Sequence, residues 1–307
     1  MVEAKLNVQG LARRDEGLKG LCSYIIPDEG RVFLSMDLGA GEPTCTAHYS
    51  QDPRYFHASV GGIGQPPYVD SDGVLMIDDV YIMFMSKTPI GSPIIKEALA
   101  KQWPEGTFAE QWVKNSKPIK SMVKESRQIH KMLVLALLYG LGVTKMGKQL
   151  QEQFGITMGP SQCREVYDGF WNTFPLVRAL VIKCSNRAAA QGFIANEFGY
   201  RVTFPTGPKG FEYTHKACNY LIQSTVSGIM HMFNFALFDF ARQAGVNMEF
   251  ITVIHDETVV SILKEDVERV KVFHQNAVKS LNERLKWSVP IRVGFNIGED
   301  FYEMKGD

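Results

Sequence analysis

The sequence predicts an α+β fold in which a long helical block is inserted between the strands of a small antiparallel sheet. Three observations lead there. The apolar run Arg31-Val-Phe-Leu-Ser-Met36 follows the turn-like Pro27-Asp-Glu-Gly30 and reads as a buried strand. Residues 78–210 carry mostly helical patterning. Two β-branched runs, Phe250-Ile-Thr-Val-Ile254 and Thr258-Val-Val-Ser-Ile262, are separated only by His255-Asp256-Glu257, which is the spacing of a hairpin with a charged tip.

The elements follow in order. Residues 1–20, with polar Asn7, Gln9, Arg13, Arg14 and Lys19, have no core of their own and read as the continuation of something upstream. The first strand runs straight into Asp37 and the glycine-rich Leu38-Gly-Ala-Gly41-Glu42-Pro43. Residues 59–75 hold Gly61-Gly62, Gly64, Pro66-Pro67 and Asp72-Gly73 and form a loop or insertion by composition. The helical block is broken at Pro89, Pro93, Pro104, Pro118, Gly159-Pro160 and Pro175. Residues 219–245 are a further helix, and the hairpin comes next. Glu265 to Leu285 reads as an amphipathic helix and Pro290 to Asn296 as a last strand.

Composition excludes several classes. At 307 residues, 45% apolar and 21% charged, the chain is neither disordered nor too short to bury a core. The apolar run Met132 to Val143 is too short to span a bilayer, and no secretory signal opens the chain, so a cytoplasmic protein without a membrane partner is expected. Cys22, Cys45, Cys163, Cys184 and Cys218 show no CxxC spacing, which points to reduced thiols rather than a disulfide framework or a zinc site. Lys plus Arg total 33 against 33 for Asp plus Glu, but the charges are segregated.

Four constellations carry chemistry. Asp37 ends one strand and Asp256-Glu257 sit in a hairpin turn. If those strands are neighbours, the carboxylates converge, and Mg²⁺ is the natural bridge between them. Lys114, Lys117, Lys120, Lys124, Arg127 and Lys131 lie in a stretch whose only acid is Glu125. The steps of 4, 3 and 4 from Lys120 put Lys120, Lys124, Arg127 and Lys131 on one helix face, an uncompensated stripe suited to phosphates. Arg127, Lys131, Leu135 and Tyr139-Gly140 continue at i+4 spacing, from cationic through apolar to aromatic, an order that suits a nucleotide. Asn219 and Gln223 share a helix face and could donate to base edges in a minor groove. Each has a plainer reading: a solvated turn acid, a basic surface, a buried helix, a polar helix face.

Together these residues resemble the polymerase module of family A DNA polymerases, the class of bacterial DNA polymerase I and many phage replicases. Asp37-Leu-Gly-Ala-Gly-Glu42 resembles motif A, Arg127-x3-Lys131-x3-Leu135-x3-Tyr139-Gly140 motif B, and His255-Asp256-Glu257 motif C. Asn219-x3-Gln223 resembles the helix preceding motif C. Asn7-Val-Gln9, Phe198-Gly-Tyr-Arg201 and Pro290 to Tyr302 are softer echoes. The resemblance implies a palm, residues 1–78 and 206–307, and fingers, residues 79–205, with an insertion near 89–118. It implies template-directed DNA synthesis on primer–template DNA from dNTPs. Asp37, Asp256 and the Leu38 carbonyl would hold two Mg²⁺ ions, and Arg127 and Lys131 the triphosphate, Lys131 also protonating the leaving group. Glu42 would be the gate against a 2′-OH, with Leu135 and Tyr139 near the nucleotide. Gln223, Asn219, His255, Arg201 and Lys124 would contact DNA, and Glu257 would be structural.

The departures also set expectations. Leu135 stands where the family has an aromatic ring, and Asp79-Val-Tyr81 where it has an Asp-Ile-His-like stretch. Met1 lies just ahead of motif A, so thumb and exonuclease are expected to be absent and the thumb, with an exonuclease in the fullest version, supplied by a separate chain. That describes a split polymerase of phage type, working in the host cytoplasm. Two rivals remain: a catalytically silent DNA-binding subunit, and an enzyme like single-subunit RNA polymerase, against which Glu42 argues. No Tyr-x-Asp-Asp of a reverse transcriptase is present.

Overall fold

The computed structural model describes residues 19–60, 68–102, 105–254 and 256–304. His255, and the expected upstream continuation in residues 1–20 apart from its last two positions, lie outside the described residues. The chain begins with α1 (Lys19–Cys22), β1 (Arg31–Asp37), α2 (Gly41–Ser50), α3 (Pro53–Val60), β2 (Tyr68–Val69), β3 (Leu75–Met76) and α4 (Val80–Met85). Six helices follow: α5 (Ser92–Gln102), α6 (Phe108–Met122), α7 (Lys124–Leu138), α8 (Val143–Phe154), α9 (Pro160–Thr173) and α10 (Pro175–Gln191). Then come β4 (Phe193–Ala195), β5 (Arg201–Thr203), β6 (Thr206–Gly207), β7 (Gly210–Phe211), α11 (Ala217–Gln243), β8 (Glu249–Ile254), β9 (Glu257–Leu263), α12 (Val267–Leu285) and β10 (Asn296–Gly298). This mix of helices and small antiparallel sheets is the expected α+β class. The chain divides into two compact units, Met1–Gly41 with Thr225–Asp307, and Glu42–Ser224.

The first unit is built on one antiparallel sheet in the order β10-β1-β9-β8. β1 is buried over its first six residues, polar Arg31 and Ser35 included, with strands flanking it on both sides. Its two faces are distinct. Phe33 packs with Cys22, Val259, Phe301 and Met304. Thr258, on the opposite face of β9, accepts a hydrogen bond from Asn234 Nδ2 of α11 at 2.9 Å, and His274 of α12 stacks edge-on against Phe233 of α11. Period-2 alternation then places Ser35 and Asp37 on the face of Phe33. The hairpin strands pair as predicted, and Glu257, expected in the turn, already pairs with Ile254. A bulge at Ile251 interrupts β8. The last strand is displaced to β10. Within the expected 290–296, Val293 makes only an isolated bridge to Leu38, and Asn296 alone belongs to the strand.

The second unit is mainly helical. Phe84, Phe170, Phe174 and Tyr55 form an edge-to-face aromatic core, with centroids 5.1–5.3 Å apart along the chain of contacts. Asp52 is fully buried but satisfied: its carboxylate accepts the N–H groups of Arg54 and Tyr55 at the start of α3 and of Leu176 in α10. The segment near 89–118, expected as an insertion, holds α5 and most of α6, the latter opened by a Thr107–Glu110 capping box. Two expectations need correction. The block does not stay helical to Gly210. Beyond Gly192, which has φ +76°, β-branched Ile194, Val202, Thr203 and Thr206 form two small hairpins instead. Nor do Lys120, Lys124, Arg127 and Lys131 share one helix, because Val123 leaves helical geometry at φ −101°, ψ 16° between α6 and α7. Val123 is buried and β-branched, and its packing overrides the local helical pattern.

Helix α11 carries the boundary between the units. With its short leading turn, Thr214–Gln243 is long and apolar enough to cross a membrane by length and composition, but half of its apolar window is buried inside the protein. Ile229, Met230, Phe233 and Leu237 supply that buried stripe.

Candidate active site

In the first unit, Asp37 is the last residue of β1, and Asp256 immediately precedes β9, the strand paired with it. Asp37 pairs in register with Glu257, and the Leu38 N–H donates to the Asp256 carbonyl at 3.1 Å. Both acids are partly exposed. β1 ends here because the chain is taken over from its other side: Gly39 N–H donates to Arg292 O at 2.9 Å, and Gly294 N–H to Asp37 O at 2.7 Å. A Cβ on Gly294 would lie 2.3 Å from Asp37 Oδ1, so only glycine lets this segment approach the carboxylate as it stands. Glu257, directly across from Asp37, accepts a hydrogen bond from the Ser35 hydroxyl, which draws it back along β1.

This donor set suits Mg²⁺. Among the described residues no three His, Cys, Asp or Glu side chains form a cluster. Two carboxylates with a neighbouring backbone carbonyl are hard oxygen donors in the number Mg²⁺ takes from protein, the rest coming from water and phosphate oxygens.

In the second unit, α7 buries Ser126, His130, Leu133, Val134, Leu137 and Leu138. Lys124 is exposed, and Arg127, Lys131, Leu135 and Tyr139 are partly exposed; the i, i+4 face from Arg127 is thus realised. Lys131 has no ion-pair partner among the described residues. Arg127 does: its Nε donates to Asp79 Oδ2 at 2.9 Å, and Lys120 Nζ lies 3.5 Å from the same oxygen. The stripe is therefore compensated in part, by an acid from a different element that spacing along one helix does not reveal.

Three further candidates meet within this unit. Tyr139 Oη donates to Glu42 Oε1 at 3.5 Å and shares a hydrogen bond with the Gln223 side chain. Burial first, and then the Glu42 carboxylate, pushes the Tyr139 phenol up to about 12, so it stays a hydrogen-bond donor throughout the neutral range. Gly140 turns the chain after α7 at φ +87°, with His215 beside it. Asn219 has a buried Oδ1 with no partner among the described residues. Arg201 is exposed, its guanidinium lying over the Phe193 ring at 4.7 Å. Sequence reasoning missed Gly294, Ser35 and the bond of Asp79 to Arg127. Asp79, as the residue just before a helical run, carried the one usable signal, that of an N-cap.

Comparison with known proteins follows the same lines. The profile of DNA polymerase family A matches residues 107–303. The chain is 23% identical to DNA polymerase DpoZ of Salmonella phage PMBT28 over 94% of its own length and 41% of the phage protein. It is 23% identical to DNA polymerase I of Aquifex aeolicus over 58% of its length and 30% of that protein. It is also similar in fold to the POL domain of Pol1 from M. smegmatis, solved with DNA primer-template and dNTP, with a TM-score of 0.72 at 17% identity, covering 97% of this chain and 45% of the other. The chain thus spans less than half the length of these relatives. With the profile covering well over half of its residues, the chain belongs to DNA polymerase family A.

Proposed function

We propose that the chain is a DNA-directed DNA polymerase that adds dNTPs to a primer under the direction of a template. The observation that carries this reading is the pairing of Asp37 and Asp256 at adjacent strand ends through the Leu38–Asp256 backbone bond. Asp37, Asp256 and the Leu38 carbonyl would hold two Mg²⁺ ions. When bound, such ions lower the pKa of the primer 3′-OH and stabilise in-line phosphoryl transfer. Arg127 and Lys131 would bind the triphosphate, and the Lys131 ammonium would give its proton to the departing pyrophosphate. Glu42, steadied by Tyr139, would exclude a ribose 2′-OH, and Leu135 would form an apolar wall beside the nucleotide. Gln223, Asn219, Arg201, Lys124 and His255 would contact primer–template.

The finer reading is a phage-type split polymerase acting in the host cytoplasm, with a separate chain supplying the thumb. The similarity to a phage DNA polymerase supports the phage part of that reading. Primer extension with Mg²⁺ tests the core claim. Asp256→Asn should lower extension on the order of 10³-fold, several kcal/mol of transition-state stabilisation, with binding of the primer–template unchanged. Residual extension within tenfold of wild type would refute the metal role of Asp256, and no extension by the wild-type chain would leave a DNA-binding subunit. Equal use of rNTPs and dNTPs would remove Glu42 as the gate.

A further inference from the structure

Asp79 is almost wholly buried, its side chain 2% exposed, and every lone-pair direction is used. Oδ1 caps α4 by accepting the N–H groups of Tyr81 at 3.2 Å and Ile82 at 3.1 Å. Oδ2 takes Arg127 Nε at 2.9 Å and Lys120 Nζ at 3.5 Å. A rigid ring backs each cation: Arg127 lies over Tyr81 and Lys120 over Trp112, both at 5.1 Å. Trp112 is itself fixed, its Nε1–H donating to Asp78 Oδ1 at 2.5 Å. In a continuous helix Lys120 and Arg127 would stand two turns, about 10 Å, apart along the axis. Here the two head groups, one on each side of the break at Val123, converge on one oxygen.

Two positive charges against one carboxylate leave a surplus. The Arg127 Nη atoms have no hydrogen-bond partner among the described residues, and both side chains remain about one-third exposed. Fixing Nε from behind leaves the outer edge of the guanidinium for a bidentate anion. We propose that Asp79 is a positioning residue that presents Arg127 and Lys120 as one clamp for the incoming nucleotide's phosphates. Lys120, contributed by the helix pair between α4 and α7, is a phosphate contact additional to Arg127 and Lys131.

The inference rests on the polymerase reading, and nucleotide binding without turnover separates the two. The whole chain is titrated with mant-dATP and Mg²⁺ in the absence of primer, with tripolyphosphate as competitor. Lys120→Met should weaken both ligands about tenfold, and Lys120→Arg should restore binding to within about threefold. Asp79→Asn keeps the helix cap but loses the charge, and should weaken binding at least as much as Lys120→Met, because both head groups come loose. In primer extension these losses should fall on KM rather than kcat. Lys120→Met binding within twofold of wild type while Arg127→Met is impaired would overturn the inference alone, making Lys120 a mere counter-charge to Asp79. Unimpaired binding in Lys120→Met, Arg127→Met and Lys131→Met together would overturn the nucleotide reading itself.

Discussion

At Gly294 one hydrogen decides where the Asp37 carboxylate can stand. Its backbone lies against Asp37, and an added methyl would fall 2.3 Å from Oδ1, well inside contact distance. The residue is not among the positive-φ glycines, so alanine is tolerated by the backbone and the carboxylate must yield. Gly294→Ala should therefore keep its thermal midpoint within a few degrees while primer extension falls about tenfold or more, with a higher Mg²⁺ requirement. Unaltered Mg²⁺ dependence would show that Asp37 has freedom to rotate without consequence. His130 makes a second prediction at this scale. Its Nδ1 lies 2.6 Å from Ser126 O and its Nε2 2.7 Å from Thr88 Oγ1. Burial lowers its pKa from 6.5 to about 4. The folded pKa lies below the unfolded one, so the contribution is fully present above pH 6.5 and is lost as pH falls through 4. Between pH 7 and pH 5 the protein should lose about 2 kcal/mol from this group. Urea melts at the two pH values, compared with His130→Gln, measure it; an identical loss in the variant would remove His130 as the source.

Among the elements, the strongest local constraint is Asp52, which ties the start of α3 to α10 through one carboxylate. Asp52→Ala would strand three N–H groups, that of Tyr55 buried and those of Arg54 and Leu176 partly so, with an expected cost of about 2–3 kcal/mol, and Asp52→Asn should retain part of that. A denaturant midpoint unchanged in Asp52→Ala would mean that water replaces the carboxylate. Elements with strong periodicity were legible in advance. β1, the hairpin, α11 and α12 all formed within two residues or so of their expected limits, because apolar period and burial agree there. The residues at 193–211 were not, since three-residue strands carry too little pattern to compete with a helical neighbourhood. The break at Val123 and the pairing of Asp79 with Arg127 were illegible for a different reason: both are set by side chains distant in sequence. For the candidate site the outcome is similar. The spacing of Arg127, Lys131, Leu135 and Tyr139 marked one helix face, whereas Gly294 and Ser35 carry no signal until the strands that bring them to Asp37 and Glu257 are paired.

For the molecule as a whole, 33 basic and 33 acidic residues cancel, so long-range attraction to a polyanion is weak and the proposed DNA binding would rest on local contacts. Counterion release makes those contacts countable: the slope of log K against log salt is about −0.9 per phosphate neutralised on duplex DNA. Lys124 and Arg201 are exposed cations without an ion-pair partner among the described residues, whereas Gln223 is a neutral amide hydrogen-bonded to Tyr139. The three should therefore behave differently on one primer–template measured from low to moderate salt. Lys124→Ala and Arg201→Ala should each shrink the slope by about 0.9 and lose most of their effect at high salt. Gln223→Leu should weaken binding by a constant factor at every salt concentration, because a minor-groove hydrogen bond releases no counterion. A slope unchanged in both cation variants would place DNA elsewhere on this chain. A slope that shrinks in Gln223→Leu would mean that the amide acts by holding a cation in place rather than by touching a base.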